Sequence, residues 1–336
     1  MTRFLICGLG SIGRRHLRNL QALGESDIVL YRTGRSTLPN DELADFPTAS
    51  DLAEALESWS PQAVLVTNPT ALHMEVALPA ARAGAALFIE KPVAHNMEQA
   101  EELVTLAADR TLVGYHFRFH PTLRLAYQLV QEGAIGQPVS ASVCWGEYLP
   151  GWHPWEDHRS SYSARADLGG GVILTLSHPF DYLRWILGEV RQVRASVGRV
   201  TALGLAVEEA AEITLHHESG CMSQIHLDYL RNPPRHDLEV VGSGGMLRWE
   251  AESGLLQQWG ADGQLSLERR PDPGFERNTL FLDEIEHFRR LVAGVEAPIC
   301  SLADGLAALQ IALAARRSAA DSQVIELATR VEARSQ

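Results

Sequence analysis

The 336-residue chain is long for one domain of ordinary size and fits two. Its formal charge of −13, from 42 acidic and 29 basic residues, disfavours non-specific contact with nucleic acid or an anionic membrane. Cys7, Cys144, Cys221 and Cys300 are scattered without C-x-x-C spacing, which argues against a disulfide framework or a structural zinc site. With no apolar run of about 18 residues and no signal-like N-terminal segment, a soluble cytoplasmic protein is expected, one without a membrane or nucleic-acid partner.

In chain order, short apolar runs predict strands at Phe4–Cys7, Ile28–Tyr31, Ala63–Val66, Ala86–Ile89 and Leu112–Gly114. Helical periodicity fills the intervals at Ile12–Leu23, Leu72–Arg82 and Met97–Ala108. This alternation predicts βαβ units around a parallel sheet over residues 1–120. From residue 121 the rhythm changes. A helix at Pro121–Glu132 leads to a strand at Val139–Trp145, and a second helix is expected at Ile173–Leu187. Strands follow at Val193–Gly198, Ala211–His217, Cys221–Tyr229, Leu238–Val241, Gly245–Trp249 and Leu255–Trp259. The breaks at Glu218-Ser219-Gly220 and Glu252-Ser253-Gly254 favour antiparallel order, and helices close the chain at Leu280–Val292 and Leu302–Arg317. The expected fold class is α/β: a parallel-sheet Rossmann domain (1–120), then an α+β domain with an open, mostly antiparallel sheet (121–336).

Gly8-Leu9-Gly10-Ser11-Ile12-Gly13 stands directly after a strand and opens a helix. Gly8 suits the tight turn, Gly10 lets backbone approach a pyrophosphate, and Gly13 lets helix pack on strand. Ser11 and Ile12 begin the helix whose free N–H groups face the phosphates. This context points to a dinucleotide. At the end of the second strand an NAD site usually carries a carboxylate, whereas this chain has Tyr31-Arg32-Thr33-Gly34-Arg35-Ser36. Arg32, Thr33 and Arg35 suit a 2′-phosphate, so NADP(H) is favoured over NAD(H); the alternative is two solvated loop arginines.

Further along come Phe88-Ile89-Glu90-Lys91-Pro92 and then Gly169-Gly170-Gly171 ahead of His178. With the glycine turn and in this order, these motifs resemble the Gfo/Idh/MocA family of oxidoreductases over nearly the whole chain. The resemblance implies a nicotinamide-dependent enzyme acting on a carbinol carbon of a sugar, nucleotide sugar or polyol. It implies that Lys91 faces the reacting hydroxyl and that Glu90 orients Lys91 or the nicotinamide edge, the alternative being a plain salt-bridge partner. Pro92 fits a cis bond. Asn68, Pro69, His73 and His116 complete the expected cofactor set. His178 would be catalytic or substrate-binding, but the Asp found four positions earlier in better-known members is Leu174 here. Asp181 is then the candidate to orient the imidazole.

Arg118, in the segment after the last Rossmann strand, and the stretch holding Trp152, His153, Trp155, Arg159, Tyr162 and Arg165 are candidate substrate contacts. Flat aromatic faces suit a sugar ring, and guanidinium groups suit a carboxylate or phosphate. No ligand set with metal spacing is found, so no metal is expected. This stretch and the version of the helix around His178 resemble a branch of the family that modifies surface-polysaccharide sugars. Two other functions remain open: a redox-assisted glycoside hydrolase that returns its hydride, and a non-catalytic NADP-sensing regulator. A homodimer or homotetramer is expected by analogy with the fold.

Overall fold

The computed structural model describes residues 2–34, 38–154, 156–198 and 203–328. The chain opens with β1 (Phe4–Cys7), α1 (Ser11–Ala22), β2 (Ile28–Tyr31), β3 (Thr48–Ala49), α2 (Leu52–Trp59) and β4 (Ala63–Val66). It continues with α3 (His73–Arg82), β5 (Ala86–Glu90), α4 (Ala100–Ala107), β6 (Thr111–Gly114), α5 (Pro121–Gln131) and β7 (Pro138–Gly146). Next come α6 (Val172–Thr175), α7 (His178–Leu187), β8 (Val190–Gly198), β9 (Ala210–His217), β10 (Met222–Asp228) and β11 (Arg235–Gly242). The last elements are β12 (Gly245–Glu250), β13 (Leu256–Gly260), β14 (Leu265–Arg269), α8 (Arg277–Val292), α9 (Leu302–Asp321) and β15 (Ile325–Glu326).

Two compact units result. The first comprises Met1–His120, Asp167–Gly170 and Pro273–Leu309, and the second Pro121–Ala166, Gly171–Asp272 and Gln310–Gln336. Residues 273–309, expected from chain order in the second domain, therefore cluster with the first. The physical cause is α8, whose buried face of Leu280, Phe281, Ile285 and Phe288 packs on α1 and β6.

In the first unit a parallel sheet runs in the order β3-β2-β1-β4-β5-β6. β1, β4, β5 and β6 are buried along their whole length, which matches their unbroken apolar runs, because a parallel sheet is covered on both faces. Phe4 pairs with Ile28 on one side and Ala63 on the other, so the strand order reverses direction between β1 and β4. Ligands of such sheets bind outside the carboxyl ends at this reversal.

In the second unit an open sheet runs β14-β13-β12-β11-β7-β10-β9-β8-β15, antiparallel except for β7 with β10. Inner and outer residues alternate along β9 and β10, as expected where one face is covered and the other open. α5 packs on α7 and β12, and α6 packs on β9 and β10.

One expected helix is divided. Instead of Ile173–Leu187, α6 stops at Thr175 and α7 restarts at His178, with Pro179 in its first turn. Proline lacks the N–H needed inside a helix and disfavours helical backbone just before it, so the break falls immediately upstream. Among the described residues no helix is long and apolar enough to cross a membrane.

Candidate active site

The turn after β1 is built by contacts that only glycine permits. Gly8 has φ +101°, and a Cβ there would lie 2.6 Å from the Asn68 Cα and 2.7 Å from the Thr67 carbonyl carbon. A Cβ on Gly13 would run into the Gly8 carbonyl oxygen and approach Thr67 Oγ1 to 2.7 Å. Thr67, at the end of β4, donates to the carbonyls of Gly8 (2.6 Å) and Cys7 (3.0 Å), fastening the turn to the neighbouring strand. Buried Arg14 braces it from below, donating to the Leu9 carbonyl at 2.9 Å and pairing with Glu42 at 2.8 Å. Gly10 is different: a Cβ there would meet nothing within 4 Å. It is also the N-cap of α1, which has neither a side-chain cap nor an acidic residue in its first turn. The first N–H groups of α1, Ser11 and Ile12 included, thus form an anion-binding end beside open space.

Asn68 sits across the strand-order reversal. Its amide donates to the Leu72 carbonyl at 2.9 Å, while its buried Oδ1 has no hydrogen-bond partner among the described residues. An uncapped helix end, an open Gly10 and an orphaned amide oxygen at one sheet edge fit a dinucleotide. Pro69 follows in an extended conformation that starts a short helical turn. His73 is buried with both ring nitrogens on backbone carbonyls, Asn68 at 2.9 Å and Val93 at 3.1 Å. Burial lowers its pKa against the pull of the two carbonyls, and the neutral ring donates to one of them at a time.

At the end of β2, the Arg32 N–H bonds the Ala49 carbonyl at 3.0 Å, and its guanidinium donates to Asn40. Thr33 is exposed, and Arg35 lies outside the described residues. Lys91 follows β5 at the same carboxyl edge of the sheet, half-buried, and the Lys91–Pro92 bond is cis as expected. Glu90 is held from two sides: its Oε1 lies 2.8 Å from His16 Nε2, and its Oε2 accepts from the Lys91 backbone N–H at 3.2 Å. Both roles expected of Glu90 therefore stay open, with His16 as its side-chain partner. His116 is buried against Phe117 and Phe281, with ring centroids at 4.6 and 4.4 Å.

Arg118 is engaged inside the first unit. It is 3% exposed, and its guanidinium reaches the Ile299 carbonyl at 2.6 Å and Asp304 at 3.3 Å. These bonds tie it to the start of α9.

In the second unit, His178 opens α7 and Asp181 follows in the same first turn, both almost wholly buried. Trp145, on β7, lies 5.6 Å from the His178 ring and stacks at 4.3 Å on His236, its register partner on β11. Tyr182 Oη is 3.1 Å from His236 Nε2. Burial, reinforced by Asp237 and Cys144, pushes the Tyr182 pKa well up, so the phenol stays protonated. Trp145, Tyr182 and His236 were not anticipated, although the alternation of β7 and β11 already places Trp145 and His236 on one face.

Among the expected substrate contacts, Trp152 packs edge-on to Tyr229 at 5.8 Å, and its buried indole N–H has no hydrogen-bond partner among the described residues. Tyr229 Oη donates to the Ser163 carbonyl at 3.3 Å, and Tyr162 is half-buried nearby in the chain. His153 is half-buried, Arg165 is exposed, and Trp155 lies outside the described residues. Arg159 is engaged locally, making a forked pair with Asp157 at 2.8–3.1 Å in an exposed turn. Arg159 pulls the Asp157 pKa down to about 2.

Comparison with known proteins bears on the assignment. Residues 2–117 match the model described as "Oxidoreductase family, NAD-binding Rossmann fold", and residues 123–248 match "GFO/IDH/MocA C-terminal domain". The chain is 28% identical to myo-inositol 2-dehydrogenase of Thermotoga maritima, covering 97% of this chain and 98% of that one. It is also 28% identical to 1,5-anhydro-D-fructose reductase of Ensifer adhaerens, covering 80% of each. Levoglucosan dehydrogenase, solved with NADH and levoglucosan, shares the fold with a TM-score of 0.82 at 20% identity, over 97% of this chain and 100% of that one.

Proposed function

Because the chain belongs to the Gfo/Idh/MocA family of oxidoreductases, we propose that it moves a hydride between a nicotinamide dinucleotide and a carbinol carbon of a sugar, nucleotide sugar or polyol. The observation that carries this is the first unit's sheet edge. The Gly8–Gly13 turn and the uncapped α1 stand at the strand-order reversal, and Lys91 ends β5 on the same edge. The relatives named above act on an inositol or on an anhydro-sugar, which supports a polyhydroxylated substrate.

The bound nicotinamide supplies the hydride acceptor or donor. Gly10, Ser11, Ile12 and Asn68 hold the dinucleotide. Lys91 binds the reacting hydroxyl and, as the neutral amine, takes its proton during oxidation, and the ammonium so formed stabilises the negative charge that develops on that oxygen. His178, with Asp181 in its turn, is assigned to substrate hydroxyls, and Trp152 and Tyr162 to the sugar's apolar face. NADP(H) is favoured over NAD(H) because β2 ends on Tyr31-Arg32-Thr33 with no carboxylate for a ribose 2′-OH. The proposal includes a cytoplasmic homodimer or homotetramer, whose size light scattering would measure.

Titration with NADPH and NADH, for wild type and Arg32→Ala, tests the cofactor. Tighter NADPH binding that the variant loses is expected, and a preference for NADH overturns the NADP assignment alone. A panel of polyols and sugars then tests the reaction. Stoichiometric reduction of the nicotinamide is expected, while glycoside cleavage without net reduction would replace the dehydrogenase by the redox-assisted hydrolase.

A further inference from the structure

His178 has to meet a substrate hydroxyl from an unfavourable place in its helix. It is the first residue of α7, directly after the break that separates α6 from α7. The opening turn of a helix lacks the backbone bonds that fix its middle, so it sets no side-chain direction by itself. Asp181 belongs to the same turn and moves with it. A fixed bed has to come from another element.

The second unit supplies one made of rings. Trp145 on β7 and His236 on β11 are register partners, and their rings stack at 4.3 Å and 5°. The His178 ring lies 5.6 Å from Trp145, tilted by 41°. One helical turn later, Tyr182 stacks on His236 at 6.0 Å, and its Oη is 3.1 Å from His236 Nε2. Residues four apart share a helix face, so α7 rests on the Trp145–His236 pair at two points. Both rings of that pair are pinned in turn. The Trp145 indole N–H donates to Glu147 at 2.8 Å, and Trp249 meets His236 edge-on at 5.4 Å. Trp249 itself donates to the Thr122 hydroxyl at 3.1 Å, which ties the stack to α5. Trp145 is 5% exposed and therefore is no platform for a sugar; what it offers is a surface for His178.

We propose that Trp145 is a positioning residue for His178, held in that role by its stack on His236 and by the hydrogen bond between Tyr182 and His236. The proposal rests on His178 being a contact of the substrate hydroxyls. Trp145 fixes the plane of the imidazole and Tyr182 fixes the helix that carries it, so ring and helix are referred to the same pair of strands. The imidazole is then oriented before substrate arrives, and binding does not have to order it.

A crystal structure of Trp145→Leu tests the positioning without any substrate. The His178 ring is expected to turn or to split between rotamers while α7 keeps its place, and a ring left in its original position overturns the proposal. Where Trp145→Leu does not fold, Tyr182→Phe, which removes one oxygen, is expected to loosen the ring in the same way, and an unmoved ring there overturns it equally. Kinetics with the sugar or polyol that the panel turns over test the consequence. Trp145→Leu is expected to lower kcat/KM about 10-fold and Trp145→Phe, which keeps an aromatic face, only about 2-fold, with dinucleotide affinity unchanged. His178→Gln alone should cost about 30-fold, the loss of a hydrogen bond to substrate, and adding Trp145→Leu to it should cost nothing more. Multiplicative losses would make Trp145 a general structural residue and overturn the proposal. If His178→Gln leaves kcat/KM intact, the assignment of His178 to the substrate has failed, and the crystal structure still decides whether Trp145 sets the ring.

Discussion

The carboxyl edge of the parallel sheet and the segment 149–165 are both rich in polar groups, but they hold them in opposite ways. At the sheet edge several groups are held by partners distant in sequence: Thr67 by the Gly8 carbonyl, His73 by the Val93 carbonyl, and Glu90 by His16. Along 149–165, short helical turns bond mainly to themselves, as where Asp157 caps its own turn and takes the Arg159 guanidinium. Preorganisation comes from partners distant in sequence, because a group that bonds only its neighbours moves with them. The sheet edge is therefore where substitutions should cost most.

The largest effect is expected at Lys91. Lys91→Ala should lower kcat by about 10²- to 10⁴-fold, the range for a positioned proton-transfer group, with dinucleotide affinity little changed. Absorbance of the reduced nicotinamide under steady-state turnover reads this directly. Two glycines of the turn then separate fold from function. Gly13→Ala forces a Cβ against the Gly8 carbonyl and should destabilise the protein by about 1–3 kcal/mol, measured by urea unfolding. Gly10→Ala has open space and should unfold like wild type, yet bind the dinucleotide about 10-fold more weakly, because the added methyl stands where the pyrophosphate approaches. Equal losses in both variants would mean that the turn is structural only.

This division also explains what could be read from sequence. β1, β4 and β5 were legible because strands buried on both faces are unbroken apolar runs, and the glycine turn because the φ of Gly8 and the close contacts of Gly8 and Gly13 leave no other residue there. α2 was missed although Asp51 and Glu54 spell its start, and the Glu54 N–H does bond the Asp51 carboxylate at 2.8 Å. β14 was missed because its alternation is limited to Leu265 and Leu267 and the strand is exposed almost throughout. The internal bonds of Arg118 could not be read, because an arginine for an internal carbonyl and one for a ligand have the same letter, and only burial separates them. Glu284 carried a usable signal: an acid at a position where the helical period of Leu280, Phe281, Ile285 and Phe288 demands an apolar residue.

Glu284 and Arg118 give intermediate effects. Burial raises the folded-state pKa of Glu284, so above the ordinary carboxylate range folding takes up a proton. Its contribution to stability is full in acid and lost as pH rises from about 4.5 toward the folded-state value. Over that window wild type should lose stability relative to Glu284→Gln at up to about 1.4 kcal/mol per pH unit. Parallel stability curves for the two proteins would show the carboxyl to be ionised. Arg118→Met should cost about 1–3 kcal/mol, because the Ile299 carbonyl and the Asp304 carboxylate lose a buried donor. KM for any substrate should stay unchanged, and a raised KM would return Arg118 to the binding groups.

The smallest effect is expected at Arg159. Its partner Asp157 is exposed, the pair closes within one turn, and water replaces either member when the other is removed. Arg159→Ala should leave the melting temperature unchanged at neutral pH and let the Asp157 pKa rise from about 2 toward its ordinary value, which NMR titration of the side chain would follow. KM should also be unaffected if the forked pair persists during turnover. A large rise in KM for an acidic sugar, with no change for a neutral polyol, would mean that the guanidinium leaves Asp157 for the substrate. The segment 149–165 would then share the work of recognition with the sheet edge.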